Sequence, residues 1–306
     1  MAPQSHLPHS RSTPGSTAAT FSGPRPAPTG PPAAVPEPPP HSFQAVPINT
    51  LPRLEGHSFR SAILPDPEER AVRVYLPLAY EAEPDRRFPV FYLHDGQNLF
   101  DEHTACGSAH PWCIHTTTDR LIEEGSIEPL ILVGIANTGP RRIAEYTHSQ
   151  DPKLGGGEGR SYGRMLVEEL KPLIDRTYRT RPDAEKTGLG GSSLGGLISL
   201  FLGFEYPQVF AKLAVMSPSL WWDGGNIMTV VESIAFKPSL RIWLDMGTEE
   251  GAPHLHDADL LFQILQRHGW QEQIDLAYQR IAGAGHSEDA WAARFDDVLR
   301  FLFPAK

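Results

Sequence analysis

Cysteine is almost missing from this 306-residue chain, which has two, Cys106 and Cys113. Two thiols close together in one expected loop do not make a disulfide framework, and without a secretion signal they are expected to be free. Long apolar runs are missing too. No stretch approaches the roughly 20 apolar residues of a transmembrane helix, so no membrane span is expected. The first residues lack the continuous apolar core of a secretory signal, which makes a cytoplasmic location the expectation. There is no basic block either: Lys and Arg number 27 against 37 Asp and Glu, a net charge of −10. That balance argues against nucleic acid or anionic lipid as the main partner. No internal repeat is present.

What the chain does have divides it sharply near residue 42. Residues 1–42 are dense in Pro, Ser, Thr, Ala and Gly and end in Pro36-Glu37-Pro38-Pro39-Pro40. With so little apolar surface to bury, this tail is expected to be disordered. Residues 43–306 are enough for one large core. Strands are expected at His57–Leu64 and Ala71–Leu76, joined by the turn Pro65-Asp66-Pro67, and at Phe88–Leu93, Pro129–Ile135, Phe210–Met216, Leu240–Met246 and Ile274–Ile281. Helices are expected at Thr118–Glu124, Arg164–Tyr178, Asp257–His268 and Glu288–Phe303. Hairpin strands followed by alternating strand and helix predict an α/β fold, with a mostly parallel sheet covered on both faces.

The stretch Gly190-Gly191-Ser192-Ser193-Leu194-Gly195-Gly196 holds G-x-S-x-G in one frame, centred on Ser193. A weakly strand-like run, Lys186-Thr187-Gly188-Leu189, precedes it, and a helical apolar run, Leu197–Leu202, follows. Strand, sharp turn, helix is the setting of a nucleophile elbow. A serine in such a turn crowds the residues two before and two after it, where glycine has no Cβ to clash.

A serine hydroxyl needs a base to take its proton, and that base needs an anion to orient it. In a parallel sheet these groups gather beyond the carboxyl ends of the strands. His286, in Ala282-Gly283-Ala284-Gly285-His286, lies between the last strand and the last helix and meets that condition. The plainer reading is a polar residue ahead of a helix. His254 and His256 sit too near the acidic loop in sequence, and His268 before Gly269 reads as a helix C-cap. For the acid, Asp245 belongs to the end of its strand, while Glu249 and Glu250 both lie in the loop beyond; residue chemistry alone does not separate these two. The oxyanion donors are expected to be the backbone N–H groups of Leu194 and of Gln97, in the turn Asp95-Gly96-Gln97-Asn98. Asn98, Trp221 and Trp222 are candidate walls of a substrate pocket. A competing metallohydrolase would use His254-Leu255-His256-Asp257-Ala258-Asp259, but Ala258 stands where H-x-H-x-D needs its acid. No metal or cofactor is therefore expected. A non-catalytic binding protein on the same fold is disfavoured because every catalytic position is filled.

These residues together resemble the esterase family of α/β-hydrolases that contains esterase D, enterochelin-type siderophore esterases and feruloyl esterases. The resemblance is carried by Tyr92–Asp101, Gly134–Thr138 with Arg142, Glu145, Tyr146 and Thr147, Gly190–Gly196, Ser217–Trp222, Gly247–Glu250 and Gly285–Glu288. It implies the α/β-hydrolase fold, with Ser193 as nucleophile, His286 as base and Glu250, the last residue of the Gly-Thr-x-acid block, as the carboxylate. The implied activity is hydrolysis of a small-molecule carboxylic ester: a siderophore, a feruloyl or acetyl sugar, or a small acyl ester. An acyltransferase would use the same three residues.

Overall fold

Alternation along the central strands decides how the sheet is covered. Val90 and Tyr92 enter one apolar core, whereas Phe91 and Leu93 enter another. Ile131 and Val133 oppose Leu130 and Leu132 in the same way, and Ile242 and Leu244 oppose Trp243. Successive strand side chains point to opposite faces, so strands that are apolar at every position need cover on both sides. The protein is described by a computed structural model over residues 43–46, 53–64, 69–100 and 110–305. The tail at 1–42, the turn Pro65-Asp66-Pro67, Asp101 and Cys106 lie outside the described residues, and with Cys106 goes the expectation about the two thiols.

The strands are β1 (Gln44–Val46), β2 (Leu54–Phe59), β3 (Arg70–Tyr75), β4 (Val90–His94), β5 (Ile131–Ile135), β6 (Gln150–Asp151), β7 (Gly155–Gly156), β8 (Thr187–Ser192), β9 (Lys212–Met216), β10 (Arg241–Gly247) and β11 (Leu276–Ile281). Among the described residues one nine-stranded sheet runs β1-β2-β3-β5-β4-β8-β9-β10-β11. Pairing is antiparallel from β1 to β5 and parallel from β5 through β11. A separate two-residue hairpin pairs β6 with β7.

The helices are α1 (Ala79–Ala82), α2 (Ile114–Glu123), α3 (Arg142–Glu145), α4 (Gly159–Arg164), α5 (Lys171–Thr177), α6 (Leu194–Glu205), α7 (Asn226–Glu232), α8 (Ala252–Arg267) and α9 (Glu288–Leu302). A π-helical stretch, Met165–Leu170, joins α4 to α5. Leu121 of α2 and Trp291, Phe295 and Leu299 of α9 fill one core. Leu173, Leu197, Ile227 and Leu261, from α5 to α8, fill the other. This is the expected α/β-hydrolase arrangement: a mostly parallel sheet between two helical layers.

Several boundaries differ from expectation. The first hairpin strand stops at Phe59 rather than Leu64. Helix α8 starts at Ala252, not Asp257, because Pro253 occupies its first turn, where a missing N–H costs nothing. His254 and His256 are therefore helical. Helix α7 had no expectation attached to it; its seven residues, two of them buried, are too few for a clear period.

Candidate active site

Strand β8 delivers the G-x-S-x-G stretch to the carboxyl end of the sheet, and α6 starts one residue after Ser193. Ser193 has φ 59° and ψ −123°, strained for a residue with a side chain. Its N–H donates to Met216 O on β9 at 3.0 Å, and its carbonyl accepts from Leu197 and Ser219. Close approach favours glycine around it. A Cβ on Gly195 would stand 3.2 Å from His94 Cβ, and one on Gly191 would stand 3.1 Å from the same atom. The His94 beneath them is fully buried, which pushes its imidazole down to about 3 and keeps it neutral.

Two strand ends bring the other groups to Ser193. His286, in the loop after β11, has Nε2 3.0 Å from Ser193 Oγ. Its Nδ1 lies 2.6 Å from Glu250 Oε2, in the loop after β10. The imidazole is edge-on to Trp291 of α9, with centroids 4.8 Å apart. The Glu250 side chain is only 3 % exposed. Burial works against its charge, but hydrogen bonds from His286, Ser217 and the Gly247 N–H outweigh that and hold its pKa below the usual carboxylate range. Glu249, by contrast, is exposed, and it is the Glu250 carboxylate that reaches His286, so geometry distinguishes the two glutamates that residue chemistry left together.

Sequence reasoning missed the groups behind Glu250. Ser217, the residue after β9, donates its hydroxyl to Glu250 Oε1 at 2.5 Å. It accepts from Trp291 Nε1 at 3.0 Å and from Arg294 Nη2 at 2.6 Å. Arg294 also donates to Asp245 Oδ1 at 2.8 Å. Asp245 thus lies inside the strand end, as expected, and faces Arg294 rather than His286. Ser219 Oγ stands 3.3 Å from Ser193 Oγ. No local signal marks Arg294, since its contacts lie 49 and 77 residues away in the chain.

Leu194 is the first residue of α6, so its N–H is among those that the helix itself leaves unused. Gln97 lies in the turn after β4, the strand beside β8, and its side-chain carbonyl accepts from Asn137 N at 3.2 Å. The turn is pressed against the sheet: a Cβ on Gly96 would meet Gly134 C at 2.4 Å. Asp95 precedes it with φ 54° and is held by Arg142 through bonds of 2.8 and 2.7 Å.

A cleft of about 240 Å³ opens beside Ser193, lined by Ser217, Pro218, Ser219, Trp221, Met246, Glu250, His254 and His286. Trp221 is 44 % exposed there. Two expected pocket residues are not in its wall. Trp222 is buried, with its indole N–H on Ser149 O at 2.9 Å, because the chain turns the second tryptophan into the core. Asn98 is buried as well, and its amide donates to Glu288 Oε1 at 2.8 Å. Glu288 also accepts from Trp112 Nε1. Burial pushes its pKa up against these two bonds.

Among the described residues no group of three or more His, Cys, Asp or Glu is disposed to hold a metal, and no helix is long and apolar enough to cross a membrane. Asp259, from the alternating run on α8, pairs with Arg280 and accepts from Tyr278 at 2.7 Å.

Comparison with known proteins agrees with this architecture. The chain is 26 % identical over 249 residues to the uncharacterized protein YbbA of Bacillus subtilis, covering 76 % of this chain and 92 % of that one. It is 29 % identical over 206 residues to an iron(III) salmochelin esterase of Escherichia coli, covering 61 % of this chain but only 45 % of the relative. Among solved structures, the BES protein from Bacillus cereus matches with TM-score 0.66 at 22 % identity, over 85 % of this chain and 99 % of that one. An enterobactin esterase from Shigella flexneri matches with TM-score 0.62 at 19 % identity, over 86 % of this chain and 59 % of that one. The family model described as "Putative esterase" matches residues 64–302. The chain belongs to this esterase family and is a carboxylic ester hydrolase on the α/β-hydrolase fold.

Proposed function

We propose that the protein cleaves its ester through an acyl-enzyme on Ser193, with His286 as general base and acid and Glu250 as the orienting carboxylate. One observation carries this reading: a single imidazole spans Ser193 Oγ at 3.0 Å and Glu250 Oε2 at 2.6 Å. As Oγ attacks the carbonyl carbon, Nε2 takes its proton, and the imidazolium that forms faces the buried carboxylate. The carbonyl oxygen becomes an oxyanion and accepts from the Leu194 and Gln97 N–H groups, with the positive end of α6 beneath it. The imidazolium then protonates the departing alkoxide. A water, deprotonated by the same nitrogen, releases the acid.

The substrate reading follows from the cleft. Its volume of about 240 Å³ falls below the roughly 300–1,000 Å³ of sites that enclose a whole ligand. It suits one arm of a larger ester, with Trp221 at the mouth offering a flat apolar face to an aromatic ring. Relatives named as salmochelin and enterobactin esterases and as a feruloyl esterase support an aryl-bearing ester, either a siderophore or a feruloyl sugar, over a small alkyl ester. A fluorophosphonate probe should label Ser193, and Ser193→Ala should lose both labelling and turnover. Turnover retained in that variant would refute the assignment. A hydrolysis panel of alkyl, aryl and trilactone esters tests the substrate class.

A further inference from the structure

If Glu250 is the acid, its carboxylate must be held in one rotamer while charge appears on His286. Ser217 is built to do this. Its hydroxyl oxygen is filled by two groups that can only donate, Trp291 Nε1 at 3.0 Å and Arg294 Nη2 at 2.6 Å. Its single proton is therefore committed to Glu250 Oε1, 2.5 Å away, which also accepts from Gly247 N at 2.8 Å. Glu250 Oε2 is left to His286.

Arg294 is held in turn. Asp245 Oδ1 lies 2.8 Å from its guanidinium, and Asp245 Oδ2 accepts from Trp243 Nε1 at 2.6 Å. The ion pair is almost completely buried, with side chains 4 % and 0 % exposed. Buried ion pairs are weak stabilisers compared with apolar residues of similar size. What this pair supplies, and an apolar pair would not, is a donor aimed at Ser217. The backbone agrees: Ser217 has φ 38°, and its N–H donates to both Asp245 O at 3.1 Å and Asp245 Oδ1 at 3.0 Å. A side-chain-bearing residue keeps such a conformation only where its surroundings impose it.

We infer that Ser217 is a positioning residue for ester hydrolysis, fixed by Arg294 and Asp245, and that it locks Glu250 in the rotamer that serves His286. The inference rests on the proposed role of Glu250. The charged and titratable groups around that carboxylate are His286 from its loop, His254 at the cleft, Asp245 from β10 and Arg294 from α9, with Glu288 of α9 turned to Asn98 and Trp112.

The test compares Ser217→Gly and Ser217→Ala with the parent protein on one soluble aryl ester across pH. Glycine removes the hydroxyl and accepts the left-handed φ, whereas alanine removes the hydroxyl and keeps the Cβ. In either variant kcat should fall about tenfold or more, the worth of a hydrogen bond to a charged group, with KM unchanged. The acidic limb of kcat/KM should move to higher pH, because a carboxylate that has lost a donor holds the imidazolium more firmly. A folded variant with the parent's kcat and acidic limb would overturn the inference. So would a loss of kcat with an unmoved limb, or the failure of both variants to fold, since each marks Ser217 as merely structural. Ser193→Ala, assayed alongside, keeps the two readings apart. Turnover there defeats the assignment of the site and this inference with it, whereas a dead Ser193→Ala beside an unaffected Ser217→Gly defeats the inference alone.

Discussion

Replacing Glu250 with Gln changes one atom and should abolish most of the activity. Glu250 Oε1 is bracketed by two donors, the Ser217 hydroxyl at 2.5 Å and Gly247 N–H at 2.8 Å. The amide oxygen of a glutamine must therefore stay on that side, which turns the NH₂ toward His286 Nδ1. An amide N–H donates to Nδ1 and leaves the proton on Nε2, the nitrogen that faces Ser193 Oγ at 3.0 Å. His286 then presents a donor where an acceptor is needed. The same inversion in a serine protease triad lowers kcat by about 10⁴, or about 5 kcal/mol of barrier. A loss of that order is expected here, with fold and KM retained. The assay is steady-state hydrolysis of an aryl ester, with Glu249→Gln as control; Glu249 is exposed, and its replacement should leave kcat near the parent value. A drop of less than about tenfold for Glu250→Gln, or equal drops for both variants, would refute the tautomer reasoning.

Other expectations follow from the same geometry. Arg294→Met leaves the buried Asp245 without its ion-pair partner, which should cost about 3–5 kcal/mol and lower Tm by roughly 10 °C; a calorimetric Tm equal to the parent's would contradict it. Glu250 has a folded pKa below its ordinary 4.5. Its stabilising share is therefore present above about pH 4.5 and lost as pH falls through the depressed value. The stability gap between parent and Glu250→Gln, followed by urea unfolding, should narrow as pH falls below 4.5; a gap independent of pH would count against the shift. Trp221→Ala should raise KM several-fold for aryl esters through lost stacking and leave Tm alone, since the side chain is 44 % exposed; equal effects on alkyl and aryl esters would remove its proposed role.

Much of the fold and part of the site could be read from residue order. Ser193 and His286 stood out because each is marked locally, one by glycines two residues away on either side, the other by its place between a strand and a helix. The sheet was legible because strands such as Val90–Leu93 are apolar at every position. Glu249 and Glu250 were not separable from residue chemistry, since neighbours in an irregular loop differ only in which way each points. Trp221 and Trp222 were inseparable for the same reason: a short turn sends the first to the cleft, as expected, and the second into the core. Arg294 drew no expectation at all on the last helix, yet it lies buried against two strands that are remote in sequence. Chemistry assembled across the sheet leaves no mark on a local window.

Strands β4, β8 and β9 are each followed at once by a residue with positive φ that is not glycine: Asp95 at 54°, Ser193 at 59° and Ser217 at 38°. Each conformation costs on the order of 1–3 kcal/mol and is held in place by its neighbours. Heat tolerance and turnover therefore pull against each other most plainly after β8. Ser193→Gly would relax the chain there but remove the hydroxyl on which the proposed reaction depends, whereas glycine at Asp95 or Ser217 would also strip bonds from Arg142, Trp291 and Arg294. Selection for thermal robustness alone would wear this enzyme down first at that one corner.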